Sequence, residues 1–156
     1  DQIRAGLVEV QAEPGRLQIR EGAHGATLID DSYNANPDSL RAAIRTLSGR
    51  QGRNVLIIGN MAELGSRTAE LHSEVGREAR HAGIDVLIAL GEMAGLAADV
   101  FGENAKKFDS LESLISDAHR MLRPGVTVLV KGSRSAQMEQ VANALAGSSR
   151  NEAIAC

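Results

Sequence analysis

Short apolar runs alternate with amphipathic stripes along most of this chain, and few folds accommodate that pattern. Residues 55–58, 85–90 and 126–130 are almost continuously apolar. Strands of that kind are buried on both faces, as in parallel sheets. Residues 26–30 read as a further strand. Between these runs the apolar residues recur at helical spacing. One stripe is Leu40, Ala43, Ile44 and Leu47, and the next is Leu71, Val75, Ala79 and Ala82. Met93, Leu96, Ala97 and Val100 follow, then Leu111, Leu114, Ile115, Ala118 and Leu122, and last Met138, Val141, Ala142 and Leu145. Strand and helix in regular turn predict an α/β fold, a Rossmann-like, mostly parallel sheet flanked by helices. Its crossovers are expected to be right-handed.

Local signals agree with this reading. Asn36 offers a helix cap and Pro37 suits the first helical position. Asp109 with Glu112 has the spacing of a capping box. Gly59 and Gly91 close strands, and Pro124-Gly125 turns the chain. Lys106 to Phe108 reads as a short edge strand. Before the first alternating unit lies an extended or hairpin segment, in which Leu17 and Ile19 alternate with Gln18 and Arg20 as a half-buried strand. Residues 1–13 read as a linker or edge segment, 14–146 as one domain and 147–156 as a flexible tail.

Composition narrows the function. The 156 residues include no Trp, one Tyr and two Phe, so the core is aliphatic and base-stacking platforms are not available. A net charge of -3 with dispersed Lys and Arg argues against binding a phosphate backbone. The single cysteine, Cys156, rules out a disulfide framework within the chain. No signal segment or run of about 20 apolar residues is present, so a cytoplasmic location is expected.

In an open parallel sheet, ligands gather at the carboxyl ends of the strands. Two segments there are dense in polar groups. Asp30 to Pro37 leaves a strand and enters a helix, whose N-terminal amides and dipole suit a phosphate. Asp31 is a natural acceptor for the two hydroxyls of a ribose. The same residues would also make an ordinary turn with Asn36 as its cap. Lys131-Gly132-Ser133-Arg134 could hold a carboxylate or phosphate, or be Ser133 as a cap beside two solvated cations. A third segment, Gly59 to Gly65, holds Asn60 and Glu63 and by residue types names no chemistry. No G-x-x-x-x-G-K-[ST] loop, G-x-G-x-x-G fingerprint or G-x-S-x-G elbow occurs. His24, His72, His81 and His119 match no metal-ligand spacing, and His72 and His119 read as surface or capping residues of helices.

These three segments resemble, in order and approximate spacing, the third domain of the Mur ligase family of bacterial cell-wall enzymes. Asp30-Asp31-Ser32-Tyr33-Asn34-Ala35-Asn36-Pro37 is similar to the branch that adds D-alanyl-D-alanine, since the sister ligases carry different residues there. Gly59 to Gly65, the following Leu71 to Gly76, and Val128 to Arg134 extend the resemblance over roughly residues 3–146. The family usually has Asp where this chain has Asn60, and often Gly or Met where it has Ser135-Ala136. The resemblance implies an ATP-dependent ligase of peptidoglycan precursor synthesis, in which residues 1–13 come from a preceding domain.

The implied partners are the N-terminal and central domains of the same enzyme, ATP with Mg2+, UDP-N-acetylmuramoyl-tripeptide and D-alanyl-D-alanine. The Mg2+ ligands, the phosphate loop and a carbamylated lysine belong to the central domain. This domain alone would carry no catalytic residue and be inactive. By the same resemblance Asp31, Tyr33, Asn34 and Asn36 bind ATP, and Lys131, Ser133 and Arg134 face the dipeptide or the transferred phosphate. A non-catalytic α/β binding module and a sister ligase adding a single amino acid are the rival expectations.

Overall fold

The structure, a computed structural model, describes residues 13–147. The linker expected over residues 1–13 and the tail expected over 147–156 therefore lie outside the described residues, except for Glu13 and Gly147 at their ends. The chain runs β1 (Gln18–Glu21), β2 (Thr27–Asp31), α1 (Pro37–Ser48), β3 (Arg53–Gly59), α2 (Thr68–His81) and β4 (Val86–Leu90). It continues through α3 (Glu92–Phe101), β5 (Ala105–Phe108), α4 (Leu111–His119), β6 (Val126–Lys131) and α5 (Met138–Leu145). The strands form one sheet in the order β1-β2-β6-β3-β4-β5. Only β1 is antiparallel to its neighbour. The α/β reading holds, with β5 at one edge and the hairpin strand β1 at the other.

Alternation along the central strands builds two cores. Ile29, Leu56, Ile58, Leu87 and Leu129 point to the side packed by α1, α2 and α3. Leu28, Val55, Ile57, Ile88, Val128 and Val130 point to the other, packed by α4 and α5. Covering both faces in this way is what makes these strands apolar without interruption. Along the central strands it also confines polar side chains to the strand ends.

Four expectations from the sequence are corrected in detail. In β1 the phase is inverted: Leu17 and Ile19 are 40% and 65% exposed, whereas Gln18 and Arg20 turn inward. Ile19 sits opposite Ile29 in register, but among the described residues no helix covers the sheet's edge on that face. Arg20 lies on the other face, where Asp30 Oδ2 (2.9 Å) and Asn143 Oδ1 of α5 (3.0 Å) accept from its guanidinium. On α3 the buried face is Ala94, Gly95, Ala97, Ala98 and Phe101, with Met93, Leu96 and Val100 only half-covered. Small residues win there because α2 comes very close: a Cβ built on Gly76 would lie 2.1 Å from the Ala97 carbonyl oxygen. The cap of α4 is Ser110, one residue after the expected Asp109, and its Oγ accepts from the Ser113 amide at 3.2 Å. The expected cap at Asn36 is present as a reciprocal pair with Ser39, with Pro37 next in the chain.

The fourth correction is His72, which is buried (1% exposed) on α2. Its Nε2 accepts from the Met61 amide at 2.8 Å, and its Nδ1 lies 2.7 Å from the Thr68 carbonyl. A ring nitrogen accepting from an amide carries no proton, so the proton sits on Nδ1 and is donated to Thr68. The imidazole thus ties the start of the Gly59–Gly65 loop into α2. Sequence periodicity misses this because Leu71 and Val75 outline a face one residue away. Burial pushes the His72 imidazole below its ordinary value of 6.5, with the Thr68 carbonyl pulling the other way.

Two outcomes follow from these contacts. Alanine at a helix-interior glycine ordinarily stabilises by about 1 kcal/mol. Gly76→Ala is expected to reverse that sign and cost about 1–3 kcal/mol, read as a lower denaturant midpoint, because α2 and α3 must separate. His72 binds its proton more weakly folded than unfolded. Its stabilising contribution is therefore complete above about pH 6.5 and is lost as pH falls below that, at up to about 1.4 kcal/mol per pH unit. Unfolding free energies measured from about pH 7.5 to about pH 5.5 should show this loss, and His72→Gln should flatten it.

Candidate functional site

The polar loops meet at the carboxyl ends of β2, β6 and β3, neighbours at the middle of the sheet. Asp31 and Lys131 are the last residues of their strands and stand opposite each other in the parallel register. Both are buried, at 7% and 3% exposure. Lys131 Nζ donates to Asp31 Oδ2 at 2.8 Å and to the Asn34 carbonyl at 2.9 Å. Asp31 Oδ1 accepts the Leu17 amide at 3.1 Å. Burial pushes the Asp31 carboxyl above its usual range, and the Lys131 ammonium and the Leu17 amide pull it back down.

Next to this pair, Asp30 binds Arg20 through one oxygen and both the amide and hydroxyl of Ser32 through the other. The loop from Ser32 to Asn36 is thereby held at both ends before any ligand is considered. At its crest Tyr33 is 40% exposed, with the Arg16 guanidinium 4.0 Å and the Arg134 guanidinium 4.8 Å from its ring centre. Cation–π contact of this kind orients an otherwise free phenol. Arg16, and after it the charge of Arg134, lowers the Tyr33 hydroxyl below the ordinary phenol range. Arg16 comes from the turn at Pro14-Gly15, where Gly15 takes φ +78° and its carbonyl accepts the Tyr33 amide at 2.8 Å. A cleft of about 600 Å³ opens beside this stack, lined in part by Gln18, Arg20, Asp30, Ser32, Tyr33 and Arg134.

The third loop joins the Lys131–Arg134 segment through its backbone and reaches α3 through one side chain. The Ser133 amide donates to the Asn60 carbonyl at 3.1 Å. Asn60 Oδ1 accepts the Ala94 amide in the first turn of α3 at 2.8 Å, and Gly91, the N-cap of α3, brings no side-chain cap of its own. Asn60 therefore caps a helix from a neighbouring strand end, a task that needs an acceptor oxygen and no charge. An aspartate at this position would cap α3 equally well.

The residues expected from sequence thus divide into two sets. Tyr33, Asn34, Asn36 and Arg134 are exposed, whereas Asp31, Lys131 and Ser133 are buried at the strand ends beneath them. Asn36 spends its side-chain oxygen on the Ser39 amide. Ser133 Oγ lies 3.0 Å from Ser135 Oγ and precedes a single 3-10 turn, Arg134–Ala136, whose end Gln137 adopts φ +56°. Sequence reading missed Arg16, Arg20 and Asn143, which reach the site only through the hairpin and α5. The turn glycine beside Arg16 is the one local signal that pointed there. Among the described residues no group of three or more His, Cys, Asp or Glu is placed to hold a metal ion, and no helix is long and apolar enough to cross a membrane.

The chain as a whole is similar to known proteins. The family profile described as Mur ligase, glutamate ligase domain matches residues 15–134. The UDP-N-acetylmuramoyl-tripeptide--D-alanyl-D-alanine ligase of Escherichia coli (strain K12) is 40% identical over 151 residues, covering 93% of this chain and 32% of that protein. The ligase of the same name from Haemophilus influenzae is 34% identical over 144 residues, covering 89% and 31%. The chain therefore spans about a third of the length of these curated relatives. Among solved structures, MurF ligase from Thermotoga maritima in complex with ADP superposes with a TM-score of 0.79 at 28% identity, over 89% of this chain and 32% of that one. MurF from Acinetobacter baumannii gives 0.78 at 31% identity, over 90% and 32%. With the profile spanning most of its length, and the polar strand-end loops of the site among the matched residues, the chain belongs to the Mur ligase family and is a Mur ligase glutamate ligase domain.

Proposed function

We propose that this chain is the C-terminal domain of a cytoplasmic ligase that joins D-alanyl-D-alanine to UDP-N-acetylmuramoyl-tripeptide, and that it closes over ATP held by a central domain. The observation that carries this reading is the exposed set Tyr33, Asn34, Asn36 and Arg134, gathered at the ends of β2 and β6 on a buried, pre-bonded base. The likeness to an ADP-bound ligase, with the D-alanyl-D-alanine ligases among the relatives, supports the nucleotide and the substrates.

Chemically, the γ-phosphoryl group of ATP passes to the terminal carboxylate of the tripeptide, giving an acyl phosphate and ADP. The free amine of the dipeptide then attacks that carbonyl. The tetrahedral intermediate expels inorganic phosphate, and the amine's proton is lost as the amide forms. Mg2+ accompanies ATP and is held mainly by the central domain. In this scheme the domain positions and shields, because closure excludes water from an acyl phosphate that would otherwise hydrolyse. Asp31 receives the ribose hydroxyls, and Tyr33, Asn34 and Asn36 line the adenine or phosphates. Arg134 faces the dipeptide or the phosphate in transfer, where a guanidinium suits either anion.

Mixing this chain with the N-terminal and central domains should give phosphate release that requires both pieces, ATP, the muramoyl tripeptide and D-alanyl-D-alanine. A covalently joined enzyme that still released no phosphate would sink the reading in favour of a non-catalytic binding module. Within the full-length ligase, Asp31→Ala should raise KM for ATP by roughly tenfold or more, the size of a hydrogen bond to a charged group. An unchanged KM for ATP would remove the ribose assignment.

A further inference from the structure

We propose that Lys131 is a positioning residue for the nucleotide half of the site, acting through Asp31 and the Ser32–Asn36 loop, and does not itself contact the dipeptide or the transferred phosphate. The inference rests on the reading that Asp31 meets the ATP ribose. By resemblance alone Lys131 belongs with Ser133 and Arg134, as a cation facing substrate. Its geometry assigns it elsewhere.

The side chain of Lys131 is 4% exposed and points across the sheet from β6 to β2. Two of the three N–H bonds of its ammonium are committed inside the chain, one to Asp31 Oδ2 and one to the Asn34 carbonyl. These acceptors come from the last residue of β2 and from the loop that follows it. One buried cation therefore fixes the strand end and the loop relative to each other. Arg134 is the exposed cation of the same segment and is free to reach outward, with the Tyr33 ring as its shelf.

The charge balance explains why a lysine is needed. A buried carboxylate is costly unless paired. Burial drives Asp31 towards its protonated form, and the ammonium of Lys131 is the first of the groups that oppose this. Without it Asp31 would hold a proton or swing out to water, and in either state it is a poorer acceptor for a diol. The Asn34 carbonyl would lose its donor, and the loop bearing Tyr33, Asn34 and Asn36 would be freed. The direct consequences fall on the residues assigned to ATP, and the dipeptide side is reached only indirectly, through the Tyr33 ring beneath Arg134.

The test measures KM for ATP, KM for D-alanyl-D-alanine, kcat and thermal midpoint separately in the full-length ligase. The variants are Lys131→Met, Asp31→Asn and the two combined. Lys131→Met is expected to raise KM for ATP by roughly tenfold or more, as for a lost charge-assisted hydrogen bond, and to leave KM for the dipeptide within about twofold. In the combined variant the two effects on KM for ATP should fall well short of multiplying, because the residues act as a unit. Lys131→Arg keeps the charge and should show the same split at smaller size. It is the variant to read if Lys131→Met does not accumulate as folded protein.

A rise in KM for the dipeptide with KM for ATP unchanged would overturn the proposal and place the ammonium on substrate. A fall in thermal midpoint with both KM values unchanged would reduce the pair to a structural contact and equally overturn it. If Asp31→Asn leaves KM for ATP unchanged, the ribose reading fails and takes this inference with it. If Asp31→Asn moves KM for ATP and neither lysine variant does, the positioning role alone fails.

Discussion

A sheet covered by helices on both faces can keep charged groups only at its ends, and that constraint organises the molecule. The central strands β2, β6, β3 and β4 have apolar neighbours above and below along most of their length. A carboxylate or ammonium in mid-strand would have neither water nor a partner. At the carboxyl ends the helices begin, backbone amides are unpaired and polar side chains can be satisfied. Asp30, Asp31, Asn60, Lys131 and Ser133 all sit there, and each has a hydrogen-bond partner from another strand, loop or helix. The site is where the sheet stops being able to exclude water.

The Asp31–Lys131 pair shows how such a position is made tolerable. Parallel register sets the two residues opposite each other, so their charges are matched by the same ladder that pairs β2 with β6. A buried ion pair is weak evidence of net stability, because desolvation opposes attraction. Its contribution here is placement: it decides where the following loop begins and which carbonyl the loop turns inward. The Arg20–Asp30–Ser32 network repeats the device one residue earlier on the opposite face of β2. His72 and Asn60 do the same for the loop after β3 without charge. The exposed residues Tyr33, Asn34 and Arg134 thus stand on a base that is already bonded, which lowers the ordering cost of binding.

Legibility in the sequence followed the physics of each element. The parallel strands were readable because double-sided burial leaves an unbroken apolar run. Helix α1 was readable because its cap, its Pro and its stripe agree. Helix α3 was misread: Met93, Leu96 and Val100 are the larger apolar residues, yet the approach of α2 at Gly76 selects the alanine face. Strand β1 was misread in phase, since an isolated alternation has two possible inner faces and the partners Asp30 and Asn143 that choose between them are distant in sequence.

By itself the sequence determined the α/β class, the polar loops at the strand ends and, through its motifs, the family. Those properties are local or periodic, so they survive without knowledge of the fold. Only the tertiary structure decided which side chains in those loops are available. It turned Lys131 inward and left Arg134 outward, buried Asp31, and brought Arg16 over Tyr33 from the hairpin. It also made His72 an anchor and gave Asn60 a helix to cap. Each of these outcomes depends on contacts between residues far apart in the chain, and the reach of a hydrogen bond or an ion pair is fixed by three-dimensional distance, which no local pattern of residue types records.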